Sequence, residues 1–210
     1  MNTRLIDSEF ANQWRNIFDR DILKGSINII SLFILVYELL EDRVISLPKD
    51  FFTIIDYDEK AEREYKENVL SLYDKNACPE IPPARKDIIS SLLWLKQLGA
   101  IDDNDIHVFS LSKKVRNDIT HEMLKSITEG TDWLVEQFAL TYGLFCKIEK
   151  WWILEIEIPI SGESTMNVGQ EISEVYSGYM IVINIIKDIL TNDSNIHFKE
   201  VCEKLGISVK

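Results

Sequence analysis

The chain has 210 residues, and 46% of them are apolar, a content typical of a folded globule and not of a disordered chain. This length predicts one domain, with at most a small appendage. Asp and Glu total 35 against 23 Lys and Arg, and the resulting net charge of −12 opposes non-specific attraction to nucleic acid or to an anionic membrane. The composition therefore argues against a general nucleic-acid coat protein.

The cysteines and the apolar runs indicate where the protein works. Cys78, Cys146 and Cys202 are odd in number and far apart, which favours buried thiols in a reducing compartment over a disulfide framework or a zinc site. The N-terminus lacks the apolar core of a signal peptide. The most apolar run, residues 27–40, contains polar side chains and is too short to span a bilayer. We therefore expect a cytoplasmic protein with no membrane contact.

Apolar residues recur at helical spacing along nearly the whole chain, and the alternation typical of strands is almost absent. A first helix is predicted after a cap at Asp7 or Ser8. A long buried helix follows over residues 21–41 and should end before Pro48. Residues 58–73 are charged but carry apolar side chains at helical spacing, which predicts a solvated amphipathic helix.

The central part of the chain continues the helical pattern. Residues 85–98 predict a helix that is stopped by Gly99. An acidic loop over residues 102–105 caps the next helix, which is expected over residues 106–127. Residues 132–154 form another apolar helix, followed by a short alternating tail before a proline. These elements predict an all-α bundle.

The C-terminal part is read as a polar loop over residues 161–169, an apolar helix over 170–190 and a short terminal helix ending at Gly206. We expect residues 1–160 to form the main bundle and residues 161–210 to pack on the same domain. The apolar faces within residues 138–148 and 175–189 exceed what a small bundle needs, and part of this surplus is expected to form a dimer interface.

The most informative feature is the sequence RNDITH at residues 116–121. It places a permanent cation, Arg116, and an imidazole, His121, five positions apart on a predicted helix. Asn117 and His121 are four residues apart and share one face, which Lys113 joins. The opposite, core-facing side is predicted to carry Leu111, Val115, Ile119, Met123 and Ile127. Arg116 lies about 140° of arc from His121, so two copies facing each other would bring the groups together better than one helix does.

Two interpretations of this pair follow from the residues alone. In the first, Arg116 forms an ion pair with an acidic neighbour such as Asp118 or Glu122 and His121 is only solvated. In the second, the guanidinium binds a phosphate and the imidazole moves a proton, which together provide what a metal-free phosphodiester cleavage needs.

The RNDITH sequence resembles the Arg-x4–6-His motif of the HEPN superfamily, in which a polar residue usually follows the arginine, as Asn117 does here. The order of segments is also similar over roughly residues 21–154. The resemblance implies a HEPN-like up-down helical bundle with additional C-terminal helices. Members of the superfamily usually dimerise, and many are metal-independent endoribonucleases that act as toxins or phage-defence effectors.

Carried over to this chain, the resemblance implies that Arg116 and His121 are the catalytic pair and that Asn117 is their polar companion. RNA would then be cleaved by its own 2′-hydroxyl to give 2′,3′-cyclic phosphate ends, with no metal and no cofactor. The implied partners are the RNA substrate, a second copy that completes the site, and a cognate antitoxin or sensor protein. Met123 stands where some HEPN toxins carry a tyrosine that is nucleotidylated, so this modification is not expected.

Further candidates and alternatives complete the prediction. Lys113 and Lys114 are candidates for holding the RNA backbone, although lysines on a helix most often form a solvated face. The acidic loop lacks the glycine and glutamate that a calcium loop needs. Trp151 and Trp152 are expected to pack in the core or an interface. The main alternative function is a non-catalytic HEPN-type module that binds a nucleotide or nucleic acid, and a second one is a structural interaction protein.

Overall fold

A computed structural model of the protein describes residues 13–55, 59–78, 81–161 and 175–191. Throughout these residues the regular structure is helical and contains no strand, so the predicted all-α class is confirmed. After a short helix over 13–18, seven longer elements follow: α1 (Arg20–Ile55), α2 (Glu59–Asn68), α3 (Lys86–Gln97), α4 (Asp103–His121), α5 (Met123–Glu129), α6 (Asp132–Trp152) and α7 (Gly178–Thr191).

α1 is the central helix of the bundle, because each of the other six labelled helices packs against it and α6 does so most extensively. The prediction that this helix ends before Pro48 is wrong, since it continues to Ile55. Proline removes one backbone hydrogen bond. Apolar packing beyond it offsets that loss, because the rings of Phe51 and Phe52 lie 5.4 Å and 6.3 Å from the ring of Trp94 on α3.

The ends of α2 and α3 follow the local sequence. α2 covers most of the predicted amphipathic segment, and a 3₁₀ turn at Leu70–Leu72 completes it. The predicted stop of α3 at Gly99 is confirmed, because this glycine has a φ of +76°. The amide of Ala100 donates to the carbonyl of Leu95 at 3.0 Å, which satisfies a carbonyl that the helix end leaves open.

The motif helix differs from the prediction at its C-terminal end. A single helix over residues 106–127 was expected, but the backbone leaves helical geometry at Glu122, and α4 and α5 are separate. The predicted core face is correct at Ile119 and Ile127, which are buried. It is wrong at Leu111 and Met123, which are 36% and 44% exposed. Met123 follows the break, where the chain has turned after α4.

The last described segments extend the bundle. The alternating tail predicted after α6 is helical instead: a wider π-helical turn at Ile153–Glu157 leads into a final turn at Ile158–Ser161. α7 packs against α1 and α6, with hydrogen bonds from Asn28 to the carbonyl of Leu190 and from Tyr142 to Asn184. The predictions for Asp7, Ser8, residues 162–174 and the terminal helix lie outside the described residues.

One described helix, Arg20–Ile54, is long and apolar enough to cross a membrane by length and composition. A core helix of a soluble protein meets the same criterion. Within this bundle the helix supplies core side chains that are at most 2% exposed, among them Phe33, Val36, Leu40, Val44 and Leu47.

Candidate functional site

The candidate site lies where α4 crosses α1. Asp102 and Asp105 start α4 with a capping box, in which each side chain accepts from the backbone N–H of the other residue, at 3.0 Å and 2.8 Å. The carboxylates of the acidic loop are therefore used at the helix start, as predicted. Lys147 of α6 donates to the Asp105 carboxylate as well, which ties this helix start to the neighbouring helix.

Arg116 is directed towards α1, where Glu38 receives it. The Nε and Nη2 atoms of Arg116 donate to Oε1 of Glu38 at 2.8 Å and 2.5 Å. The Nη1 atom donates to Oδ1 of Asn117 at 3.2 Å, so the structure brings these two motif residues together. The guanidinium carbon lies 6.0 Å from the centre of the Tyr37 ring. The side chain stays 35% exposed, so solvent reaches the guanidinium.

One turn further into the bundle, Glu41 collects three donors. Lys113 donates to Oε2 of Glu41 at 3.0 Å, Arg85 donates to Oε1 at 2.8 Å, and the Tyr37 hydroxyl donates to Oε2. The side chains of Glu41 and Lys113 are only 16% and 11% exposed. We refer to Tyr37, Glu41, Arg85 and Lys113 as the inner cluster. It joins α1 to α4 and to the start of α3.

The inner cluster shifts the titration of its members. Burial opposes ionisation of Glu41, but the hydrogen bonds from Tyr37, Lys113 and Arg85 outweigh that cost and hold the pKa of the carboxyl below its usual range. Burial, together with the hydrogen bond to Glu41, raises the pKa of the Tyr37 hydroxyl far above its ordinary value. At neutral pH the cluster therefore contains an ionised carboxylate and a neutral tyrosine that donates to it.

His121 is the last residue of α4, directly before the break at Glu122. Its side chain is exposed and makes no hydrogen bond to any other described residue. Arg116 is instead turned towards α1 by Glu38, so a single chain does not converge the two groups. The structure thus shows an anchored guanidinium and a separate, accessible imidazole on the same helix.

The two candidate RNA-binding lysines differ in their exposure to solvent. Lys114 is exposed, as predicted. Lys113 was expected on the solvated face with Asn117 and His121, and this expectation is wrong, because Lys113 is buried and its ammonium binds Glu41. The reason is that α4 packs against α1 at this turn, where the largely buried Glu41 carboxylate requires a cation.

The sequence interpretation missed Glu38, Tyr37 and Glu41. The alternative partners considered for Arg116, Asp118 and Glu122, are not its partners; Glu122 binds Lys125 at 2.8 Å instead. A usable signal was present, since Glu38 lies inside the most apolar run of the chain and Glu41 directly follows that run. Carboxylates on a helix that is expected to be buried predict cationic partners, because buried charges are almost always paired.

An open cavity of about 380 Å³ lies where α4 meets α5, and His121 does not line it. Its rim carries more negative than positive charge, because Asp118, Glu122 and Glu129 lie around it with Lys125, beside Trp133.

Trp151 is half-buried and Trp152 is buried in the core, in agreement with the prediction that they pack in the core or an interface. Within the described part of the chain, no three His, Cys, Asp or Glu side chains are grouped so that they could hold a metal ion.

Comparison of the chain with models of protein families, with curated proteins and with solved structures finds no match.

Proposed function

We propose that the protein is a metal-independent endoribonuclease of HEPN type, active as a cytoplasmic homodimer in a toxin or defence role. The proposal rests on the exposure and the hydrogen bonds of Arg116 and His121 in the motif. Arg116 is anchored at the surface with part of its guanidinium accessible, and His121, on the same helix, is exposed and has no hydrogen-bond partner among the described residues. An accessible guanidinium fork and an unengaged imidazole are the two groups that cleavage of a ribose phosphodiester requires.

The reaction would proceed by transesterification. His121 accepts the proton of the ribose 2′-hydroxyl, and the 2′-oxygen forms a bond to phosphorus. The bond from phosphorus to the 5′-oxygen breaks, and that oxygen leaves with a proton supplied by an imidazolium. Arg116 binds the non-bridging oxygens and stabilises the charge of the pentacoordinate transition state. The products are a 2′,3′-cyclic phosphate and a 5′-hydroxyl.

The separation of the two groups within one chain favours a site shared between two chains. Arg116 is directed to α1 while His121 lies at the end of α4, so Arg116 of one protomer would approach His121 of its partner. Exposed apolar side chains on α6 and α7 are available for such an interface, including Val135, Leu140, Tyr179, Val182 and Ile189. An RNA backbone would be held by Lys114, since Lys113 already binds Glu41.

The decisive experiment is cleavage of mixed RNA by the purified protein with and without a chelator. We expect cyclic phosphate ends in both conditions, and His121→Ala should lower the rate by about two to four orders of magnitude, the usual effect of a positioned acid or base. His107→Ala is the matched control, because this histidine is exposed on the same helix. Full loss of activity with the chelator, or unimpaired cleavage by His121→Ala, would contradict the mechanism.

Mixing two inactive variants tests the shared site. In a heterodimer of Arg116→Ala and His121→Ala chains, one composite site has both mutations and the other has neither. Random mixing should therefore restore about a quarter of the wild-type activity. No recovery on mixing would show that each chain uses its own Arg116 and His121.

A second function is favoured by one observation: the Glu38 carboxylate already neutralises Arg116. This arrangement suits a binding module that exchanges one anion for another without chemistry. Such a module would gain thermal stability with nucleotides, since a ligand that binds only the folded state stabilises it, and would leave RNA intact.

A further inference from the structure

We propose that Glu38 is a positioning residue, which holds the Arg116 guanidinium so that its remaining N–H groups face a phosphodiester. This inference rests on the proposed ribonuclease function and adds to it a residue from a distant part of the chain. Glu38 lies on α1, and neither the motif nor its spacing includes it.

The hydrogen bonds of Arg116 show how the group is held. A guanidinium has five N–H donors in a fixed plane. Glu38 accepts from Nε and Nη2, and Asn117 accepts from Nη1. Among the described residues these are its only acceptors, so one N–H remains on each of the two Nη nitrogens. Two such donors can bind two oxygens of one phosphate.

The ring of Tyr37 supports the guanidinium from α1. Its centre lies 6.0 Å from the guanidinium carbon, and the tyrosine is 2% exposed. Its hydroxyl donates to Glu41 in the inner cluster, which fixes the ring in place. Arg116 is therefore held by an acceptor on one edge, a second acceptor on Nη1 and a fixed aromatic ring.

The exposure of Glu38 distinguishes positioning from stabilisation of the fold. Its side chain is 48% exposed, and ion pairs between exposed groups contribute little to folding. A guanidinium that is oriented before the substrate arrives does not have to be ordered during binding or in the transition state. The carboxylate also lowers the net positive charge presented to RNA, so its presence is explained better by orientation than by attraction.

The test compares Glu38→Ala with Glu38→Gln in RNA cleavage. Glu38→Ala should lower kcat by about tenfold without raising KM, because the guanidinium loses its orientation while a repulsive charge is removed. Glu38→Gln should recover most of kcat, since its amide oxygen still accepts from Nε and Nη2. Asp42→Ala is the matched control, because it removes a carboxylate from the exposed side of the same helix one turn away.

A second measurement, by NMR in the absence of substrate, tests whether the Arg116 guanidinium is held in one orientation. The Nε–H resonance of Arg116 should be resolved in wild-type protein and in Glu38→Gln, and should be broadened or lost in Glu38→Ala. If wild-type protein cleaves RNA and Glu38→Ala retains or increases kcat, the positioning role is overturned and the ribonuclease proposal stands. If wild-type protein cleaves no RNA, the ribonuclease proposal fails, and the positioning role fails with it.

Discussion

Glu38 and Glu41 lie three residues apart on α1, and they bind Arg116 and Lys113, which lie three residues apart on α4. Residue numbers rise along one helix as they fall along the other, so the helices run antiparallel. The outer contact, between Glu38 and Arg116, is 48% and 35% exposed, whereas Glu41 and Lys113 are 16% and 11% exposed. Two carboxylate–cation pairs within one helical turn therefore differ in what they do. The inner contact, between Glu41 and Lys113, joins the two helices. The outer contact, between Glu38 and Arg116, leaves a cation accessible to a ligand.

The largest effect on stability is expected from Glu41→Ala. This change leaves the buried ammonium of Lys113 without its carboxylate and also removes the acceptor of Arg85. Breaking a buried pair by removing one partner is strongly destabilising, and we expect a loss of about 3 kcal/mol in the free energy of unfolding. Urea denaturation measures it. Glu62→Ala, which removes an exposed carboxylate paired with Lys66, is the control and should cost much less.

Tyr37→Phe should have the next largest effect. It removes the hydroxyl that donates to Glu41 but keeps the ring beneath Arg116. A hydrogen bond to a charged group predicts a loss of about 1.5 kcal/mol, measurable by the same denaturation. Tyr179→Phe is the matched control, since the Tyr179 side chain is 47% exposed and its hydroxyl has no hydrogen bond within the described residues. If Tyr37→Phe and Tyr179→Phe lower the free energy of unfolding equally, the hydrogen bond in the inner cluster contributes no particular stability.

The inner cluster should also make the free energy of unfolding depend on pH in the acidic range. Hydrogen bonds from Tyr37, Lys113 and Arg85 hold the pKa of Glu41 in the folded protein below the ordinary glutamate value of 4.5. Its contribution is therefore fully present above that value and is lost as the pH falls through the lower, folded-state pKa. The difference in unfolding free energy between wild type and Glu41→Gln should shrink as the pH is lowered from 6 towards 3. A difference that stays constant over this range would contradict the assignment.

The smallest effect on stability is expected from Glu38→Ala. Because the outer contact is solvated, its loss should change the free energy of unfolding by less than about 1 kcal/mol. Thermal or urea unfolding of the variant checks this value against Glu41→Ala. A loss as large as that of Glu41→Ala would make the outer contact structural, and the contrast between the two contacts would disappear.

Local sequence patterns predicted the fold well wherever a nearby residue decides the outcome. The end of α3 at Gly99 and the capping of α4 by Asp102 depend on residues within a few positions, and both predictions are confirmed. The predicted end of α1 before Pro48 is wrong, because tertiary packing of the phenylalanines that follow the proline extends the helix. The break after His121 was not predicted, because no glycine or proline lies beside it in the sequence.

The candidate site was less predictable because its geometry depends on contacts between distant residues. Periodicity placed Lys113 on the solvated face, but only the position of α1 shows that Glu41 draws it inwards. Glu38 and Arg116 are 78 residues apart, and no local spacing links them. Arg116, Asn117 and His121 were found from one short motif, and their catalytic role remains a prediction.

α1 is 36 residues long, or about 54 Å at the rise of an α-helix, and every other labelled helix rests on it. Among the described residues, each labelled helix therefore depends on α1 for part of its packing. Unfolding should be concerted, with amide protons in the middle of this rod exchanging with solvent only when the whole bundle opens. Arg116, which is bound to Glu38 on α1, should share the rigidity of this helix, whereas His121 at the end of α4 makes no hydrogen bond to it.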